Sequence, residues 1–193
     1  MGLYDDYVAL TKVGEAFVKS RIQGNRKGLP DEPSYLHSFR VRDLVSKQHH
    51  WDDPDYDLFL AALLHDVIED GGVTYAELRA LGFSDRTIEL VDLCTHRLDV
   101  EDSAERWVLM MARLVEAGDQ DAWRIKLADM IDNLRQSHAL PVANRQFMRE
   151  VKAPLLLRLT QDQPLTRLIC AEYPAIKNGV DVLKDELEIW QGR

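Results

Sequence analysis

The chain has 193 residues, 46% of them hydrophobic and 30% charged, which suits one domain with a sizeable core and leaves little room for a second. Its longest apolar stretch, Leu58 to Leu64, is too short to cross a bilayer, and a formal net charge of −9 argues against a broad nucleic-acid-binding face. The two cysteines, Cys94 and Cys170, form neither a disulfide framework nor a cysteine zinc site. The N-terminus lacks the basic region and apolar core of a signal peptide, so the expectation is one unit over residues 1–193, located in the cytoplasm.

Apolar residues recur at helical spacing almost throughout, and nothing alternates as a half-buried strand should, so the fold class is all-α. The pattern predicts a first helix from Tyr4 to Ile22. A loop with two glycines and two prolines follows, and then a second helix from about Tyr35 to Lys47. A turn over His49 to Asp55 leads to a third helix carrying Leu58 to Glu69, ended by Asp70-Gly71-Gly72 because glycine takes the left-handed conformation cheaply. Thr74-x-x-Glu77 fits a capping box opening a short helix that stops near Gly82. Further helices are predicted over Asp85 to Cys94, Asp102 to Ala117 and Ala122 to Gln136. The C-terminal helices, residues 141–193, are punctuated by prolines, and Pro154 predicts a kink or break.

The run Ala61-Ala62-Leu63-Leu64-His65-Asp66-Val67-Ile68-Glu69-Asp70 sets one imidazole and three carboxylates at the end of an apolar segment, where such groups are costly unless they bind something. On a continuous helix, His65 stacks over Glu69 and Asp66 over Asp70. His65 and Asp66 can reach one cation, and Glu69 with Asp70 is then placed to act on water or substrate beside it. Two ligands from distant segments suit the remaining positions. His37 opens the second helix, and Asp129 adjoins the apolar stripe of a later one, with Asn133 one turn below. Two imidazoles and two carboxylates leave room for waters in an octahedral shell, which favours a divalent ion such as Mn²⁺, with Fe²⁺, Mg²⁺ and Zn²⁺ as alternatives. Arg21, Arg26, Lys27, Arg40, Arg42 and Lys126 are candidates for a local patch binding an anionic substrate, against the plainer reading of each, taken singly, as a solvated helix charge. The bland alternatives are a satisfied core histidine at His65 and an ion pair of Asp129 with Lys126 or Arg135. His49, His50, His96 and His138 read as surface or structural residues.

A lone His, a His-Asp pair and a distant Asp resemble the pattern of the HD-domain metal-dependent phosphohydrolases. Glu69-Asp70, Thr74, Glu77, and Lys126-Leu127-Ala128-Asp129 with Asn133, Leu134 and Arg135 are similar to the hydrolase domain of RelA/SpoT proteins, over roughly residues 20–137. That resemblance implies an all-α bundle with a metal site between helices and removal of the 3′-diphosphate of (p)ppGpp. It also implies that His37, His65, Asp66 and Asp129 hold the metal and that Glu69, helped by Asp70, activates water. Arg26 would stack on the purine, Lys27 would offset phosphate charge and Asn133 would bind the ribose or phosphate. The chain is too short for the family's synthetase domain as well, which implies a small stand-alone hydrolase. It departs from the family at Ser38, Gly71 and Gln136, and Thr95-His96-Arg97 only loosely follows the family's Thr-x-x-Lys. The rival readings are a phosphatase for another nucleotide (a 5′-nucleotide or the 2′-phosphate of NADPH), a non-catalytic nucleotide sensor, and a partner-binding helical protein without metal.

Overall fold

The computed structural model describes residues 3–47, 54–160 and 179–191. Among these there is no strand, only an isolated antiparallel bridge between Asn25 and Pro33, and the protein is all-α as expected. The helices are α1 (Leu3–Arg21), α2 (Leu36–Ser46), α3 (Tyr56–Leu64), α4 (Tyr75–Ala80), α5 (Asp85–Cys94), α6 (Ser103–Ala117), α7 (Gln120–Gln136), α8 (Val142–Phe147), α9 (Ala153–Thr160) and α10 (Gly179–Gln191). His49, His50 and Cys170 lie outside the described residues.

The one capping box read from the sequence recurs as hydrogen bonds, and the structure adds two further caps. Thr74 and Glu77 close the capping box, Ser84 caps α5, and Asp102 caps α6, each satisfying backbone N–H groups that a helix start leaves unpaired. The core is continuous. Helix α7 runs through its middle, packed against α2, α3, α5, α9 and α10, and α3 is sandwiched by α1, α2 and α5. Every residue of α3 from Leu58 to Leu64 is buried, as are Trp123, Ile125, Leu127 and Ile131 of α7. Polar side chains on these two elements are therefore carried into the interior.

Helix α3 ends earlier than periodicity predicts. Regular geometry stops at Leu64, and residues 65–71 form successive turns in which the Val67 N–H reaches the Leu64 carbonyl at 3.0 Å and the Asp70 N–H reaches the Asp66 carbonyl at 2.9 Å. Tight turns keep nearly the same residue spacing as a helix, so the sequence pattern does not separate the two. The left-handed glycine that closes the run is Gly72, with φ of 61°.

The loop between α1 and α2 is folded back on itself by bonds from the Arg26 N–H to the Glu32 carbonyl at 2.8 Å and from the Ser34 N–H to the Gly24 carbonyl at 3.0 Å. Gly28 is required there twice over. Its φ is 82°, and a Cβ would lie 2.0 Å from the Ala139 carbonyl oxygen, so only glycine lets the loop press against the turn that follows α7. After α7, a 3₁₀ turn over Ser137–Ala139 leads into α8, and Met148–Lys152 forms a π-helical turn before α9. In it the Ala153 N–H bonds the Met148 carbonyl five residues back. The break predicted near Pro154 is this widened turn, immediately ahead of the residue that has no N–H to donate.

Candidate metal centre and cleft

Helix α2, the turn after α3, and α7 bring His37, His65 and Asp129 together with ligand atoms within 4.8 Å of one another, and all three residues are buried. Asp66 joins them. Its Oδ2 lies 3.2 Å from His65 Nε2 and 3.5 Å from His37 Nε2, while Asp129 Oδ1 lies 3.1 Å from His37 Nε2 and 3.9 Å from His65 Nε2.

Each histidine is oriented through its other ring nitrogen. His65 Nδ1 donates to the Ala62 carbonyl at 2.9 Å, leaving a fully buried Nε2 with no hydrogen-bond partner among the described residues. A buried, unpartnered imidazole nitrogen aimed at carboxylates suits a cation, since the alternative is a desolvated lone pair with nothing to bind. His37 Nδ1 donates to Asp132 Oδ2 at 2.7 Å, and Asp132 is itself gripped by Arg40, Nε to Oδ1 at 2.7 Å and Nη2 to Oδ2 at 3.1 Å. The donor set of two neutral-capable imidazoles and two carboxylates fits a divalent ion.

Proton affinities report the same crowding. Burial alone would lower the His37 pKa, but hydrogen bonds to Asp129 and Asp132 and the charges of Asp66 and Asp129 overcome it and raise the value to about 9. The Asp66 and Asp129 carboxyls are held below the ordinary range: burial opposes this, but the interaction with His65 outweighs it at Asp66 and the Lys126 charge does so at Asp129. Lys126 is buried with its Nζ 2.6 Å from Asp129 Oδ2, so the ion pair considered from the sequence exists on the carboxylate oxygen that faces away from His37. Loss of hydration, then the neighbouring Asp66 and Glu69 charges, push Asp70 up to about 6.

The centre opens into two cavities. The smaller, about 130 Å³, is bordered by His37, Asp66, His96, Trp107, Lys126 and Asp129. The larger, about 450 Å³, is bordered by Lys27, Leu29, Ser103, Gln136, Phe147 and neighbouring residues of α8. Arg26, Asn133, Met148 and Lys152 line both. Arg26 Nη2 donates to Asn133 Oδ1 at 2.7 Å and its Nε to Gln136 Oε1 at 3.3 Å, and Asn133 Nδ2 in turn donates to Asp129 Oδ1. The three candidate substrate residues thus border the cleft, Lys27 at its exposed side.

Two sequence expectations change. The basic patch does not form as a unit: Arg21 pairs with Glu77, Arg42 with Glu15 and Asp43, and Arg40 stands behind His37. Asp43 is a sequence neighbour of Arg42, but the other carboxylate partners lie 8 to 92 positions away, which charge counting does not reveal. His96, read from the sequence as a surface or structural residue, is narrowed to the second. Its backbone N–H and its Nδ1 both donate to Glu69, at 2.7 Å and 2.9 Å, and its ring borders the small cavity; Glu69 and Asp70 are not in that lining. Asp132 was readable in principle, three residues after Asp129 on the same helix. Trp107 and Lys152 carry no short-range signal.

No family model matches the chain. It is 36% identical over 170 residues, 83% of its length, to the bifunctional (p)ppGpp synthase/hydrolase SpoT of Escherichia coli (strain K12), and 27% identical over 187 residues, 89% of its length, to the guanosine-3′,5′-bis(diphosphate) 3′-pyrophosphohydrolase of Aquifex aeolicus (strain VF5). These alignments take in 24% and 26% of the relatives, so the chain spans about a quarter of the length of the curated proteins it matches. Among solved structures it superposes with a TM-score of 0.70 and 25% identity on a metazoan ortholog of SpoT described as hydrolysing ppGpp, covering 85% of this chain and 93% of that one. Fold and site together define an HD-type helical domain. Within that class, the chain is a RelA/SpoT hydrolase-like domain.

Proposed function

We propose that this domain is a metal-dependent phosphohydrolase acting on (p)ppGpp, releasing pyrophosphate from the ribose 3′ position. The observation that carries the reading is the convergence of His37, His65, Asp66 and Asp129 around an unpartnered, buried His65 Nε2, beside a cleft bordered by Arg26, Lys27 and Asn133. The names of the E. coli and A. aeolicus relatives and of the metazoan neighbour supply the substrate.

In this reading the four residues hold one divalent cation, with Mn²⁺ the favoured ion. When bound, it supplies an acidified water and neutralises charge on phosphoryl oxygens. The chain supplies the rest. Asp132 and the Ala62 carbonyl fix the ring orientations of His37 and His65. Glu69, anchored by His96, takes the proton of the attacking water, with Asp70 beside it. The water oxygen joins the phosphorus attached to the ribose 3′-oxygen, that P–O bond breaks, and the ribose oxygen leaves with a proton as the 3′-hydroxyl. Arg26 stacks on the base, a role that needs a flat guanidinium. Asn133 holds the ribose or phosphate, and Lys27 offsets phosphate charge. We place the enzyme in the cytoplasm; no helix among the described residues is long and apolar enough to cross a membrane.

Time-resolved product analysis with ppGpp and Mn²⁺ tests the proposal. Equimolar GDP and pyrophosphate support it. Release of orthophosphate alone, or turnover of other nucleotides but not ppGpp, contradicts it.

A further inference from the structure

Trp107 of α6 is almost completely buried and borders the small cavity, and two ammonium groups lie against its ring. Lys126 Nζ is 6.0 Å from the centroid and Lys152 Nζ is 5.0 Å away. The two lysines differ in how their charge is answered. Lys126 has Asp129 at 2.6 Å. Lys152, at the end of the π-helical turn, is half-buried between Trp107 and Phe147, whose ring centroid is 5.6 Å from Nζ, and makes no ion pair among the described residues.

Aromatic faces attract an ammonium and fix its position, but they do not neutralise it. Two lysines at one indole, with a carboxylate for only one of them, leave a positive charge that an anion from solution is suited to meet. The pKa of Lys152 is lowered by burial and then by the Lys126 charge, as expected of an ammonium short of a counter-ion. Its position says where that anion would sit. Lys152 lines both cavities, so it stands where the metal end opens into the larger space. The widened turn supports the placement: Met148 and Lys152, its first and last residues, both border the cleft, and π-helical turns recur at functional sites.

We propose that Lys152 is a substrate-binding residue that contacts a phosphoryl group of the nucleotide at the junction of the two cavities, held in place by Trp107 and Phe147. An ammonium offers three rotatable donors as a compact charge, which suits phosphate oxygens approached from one side. The inference deepens the phosphohydrolase reading and rests on it for the identity of the nucleotide.

The test uses the full chain at fixed free Mn²⁺, with inorganic pyrophosphate as the binding probe by calorimetry and ppGpp as the substrate. Lys152→Met removes the charge and keeps the apolar stem, Lys152→Gln is a second neutral variant should the first fail to fold, and Lys152→Arg retains the charge. The neutral variants are expected to weaken pyrophosphate binding by roughly ten- to a hundredfold, the size of one lost charge-assisted hydrogen bond, and to flatten its salt dependence. The KM for ppGpp should rise in parallel, metal content should not change, and Lys152→Arg should restore most of the binding. Unchanged pyrophosphate affinity and salt dependence in a folded neutral variant overturns the proposal, as does a wild-type chain that binds no pyrophosphate. If the wild type binds pyrophosphate through Lys152 but leaves ppGpp intact, the lysine stands and the substrate assignment falls.

Discussion

At the metal end of the cleft, His37, His65 and Asp129 are buried and their neighbours are charges or backbone groups fixed by rigid helices, whereas at the far end Arg26 is half-buried and held by the amides of Asn133 and Gln136, and Lys27 is exposed. The first region is assembled from α2, α7 and a turn seated on the most buried helix. The second is walled by a glycine-dependent loop, the short α8 and a π-helical turn. A buried set of ligands needs its geometry completed before anything binds, because each unpaired charge there costs several kcal/mol. In the proposed function the half-open end adjusts to the ligand and sets which ligand that is. On that proposal chemistry and specificity are separable, and substitutions at the two ends should fail differently.

The sharpest break is Asp66→Ala, which we expect to abolish both metal binding and turnover, read by metal analysis of the dialysed protein and by product assay. Glu69→Gln should divide the two properties, keeping the metal while lowering kcat by roughly a hundred- to ten-thousandfold, the range for loss of a positioned proton acceptor. Loss of metal in this variant would count against its assigned role. Asp132→Ala removes the partner that orients His37 and should weaken metal affinity by roughly ten- to a hundredfold. The far end should respond only in binding: Arg26→Ala is expected to raise the KM for ppGpp by about fivefold, as a lost stacking cation would, with kcat little changed.

Acidity offers a graded version of the same comparison. His37 faces Asp66 and Asp129 at one nitrogen and Asp132 at the other, with His65 beside it, Lys126 beyond Asp129 and Arg40 beyond Asp132. With its pKa raised to about 9, the metal-free protein carries a proton at neutral pH that an incoming cation must displace. Metal affinity should therefore fall as pH drops below about 9, by up to about tenfold per unit from this group alone. Affinity that does not change between pH 7 and 9 would place the cation elsewhere.

How much of this was legible before the structure depended on the range of each signal. Caps, helix faces and the all-α class follow from local patterning, and so did the residues of the metal cluster, because each carries its charge beside an apolar stripe. The turn after α3 was not legible, since tight turns imitate helical spacing. Nor was the Glu69–His96 contact, spanning 27 positions between elements that only tertiary packing brings together. The C-terminal wall is the clearest case. Met148 and Lys152 belong to no motif, and their place at the cleft comes from where α8 and the π-helical turn pack rather than from any spacing with the metal cluster.

Titration of the metal-depleted protein with Mn²⁺, followed by the loss of the free-ion electron paramagnetic resonance signal, tests the account most directly. One tightly held ion per wild-type chain, with none held by Asp66→Ala, is the predicted result. A wild-type chain that takes up no Mn²⁺, or an Asp66→Ala variant that binds it as the wild type does, would contradict the metal centre from which every step of the proposed chemistry begins.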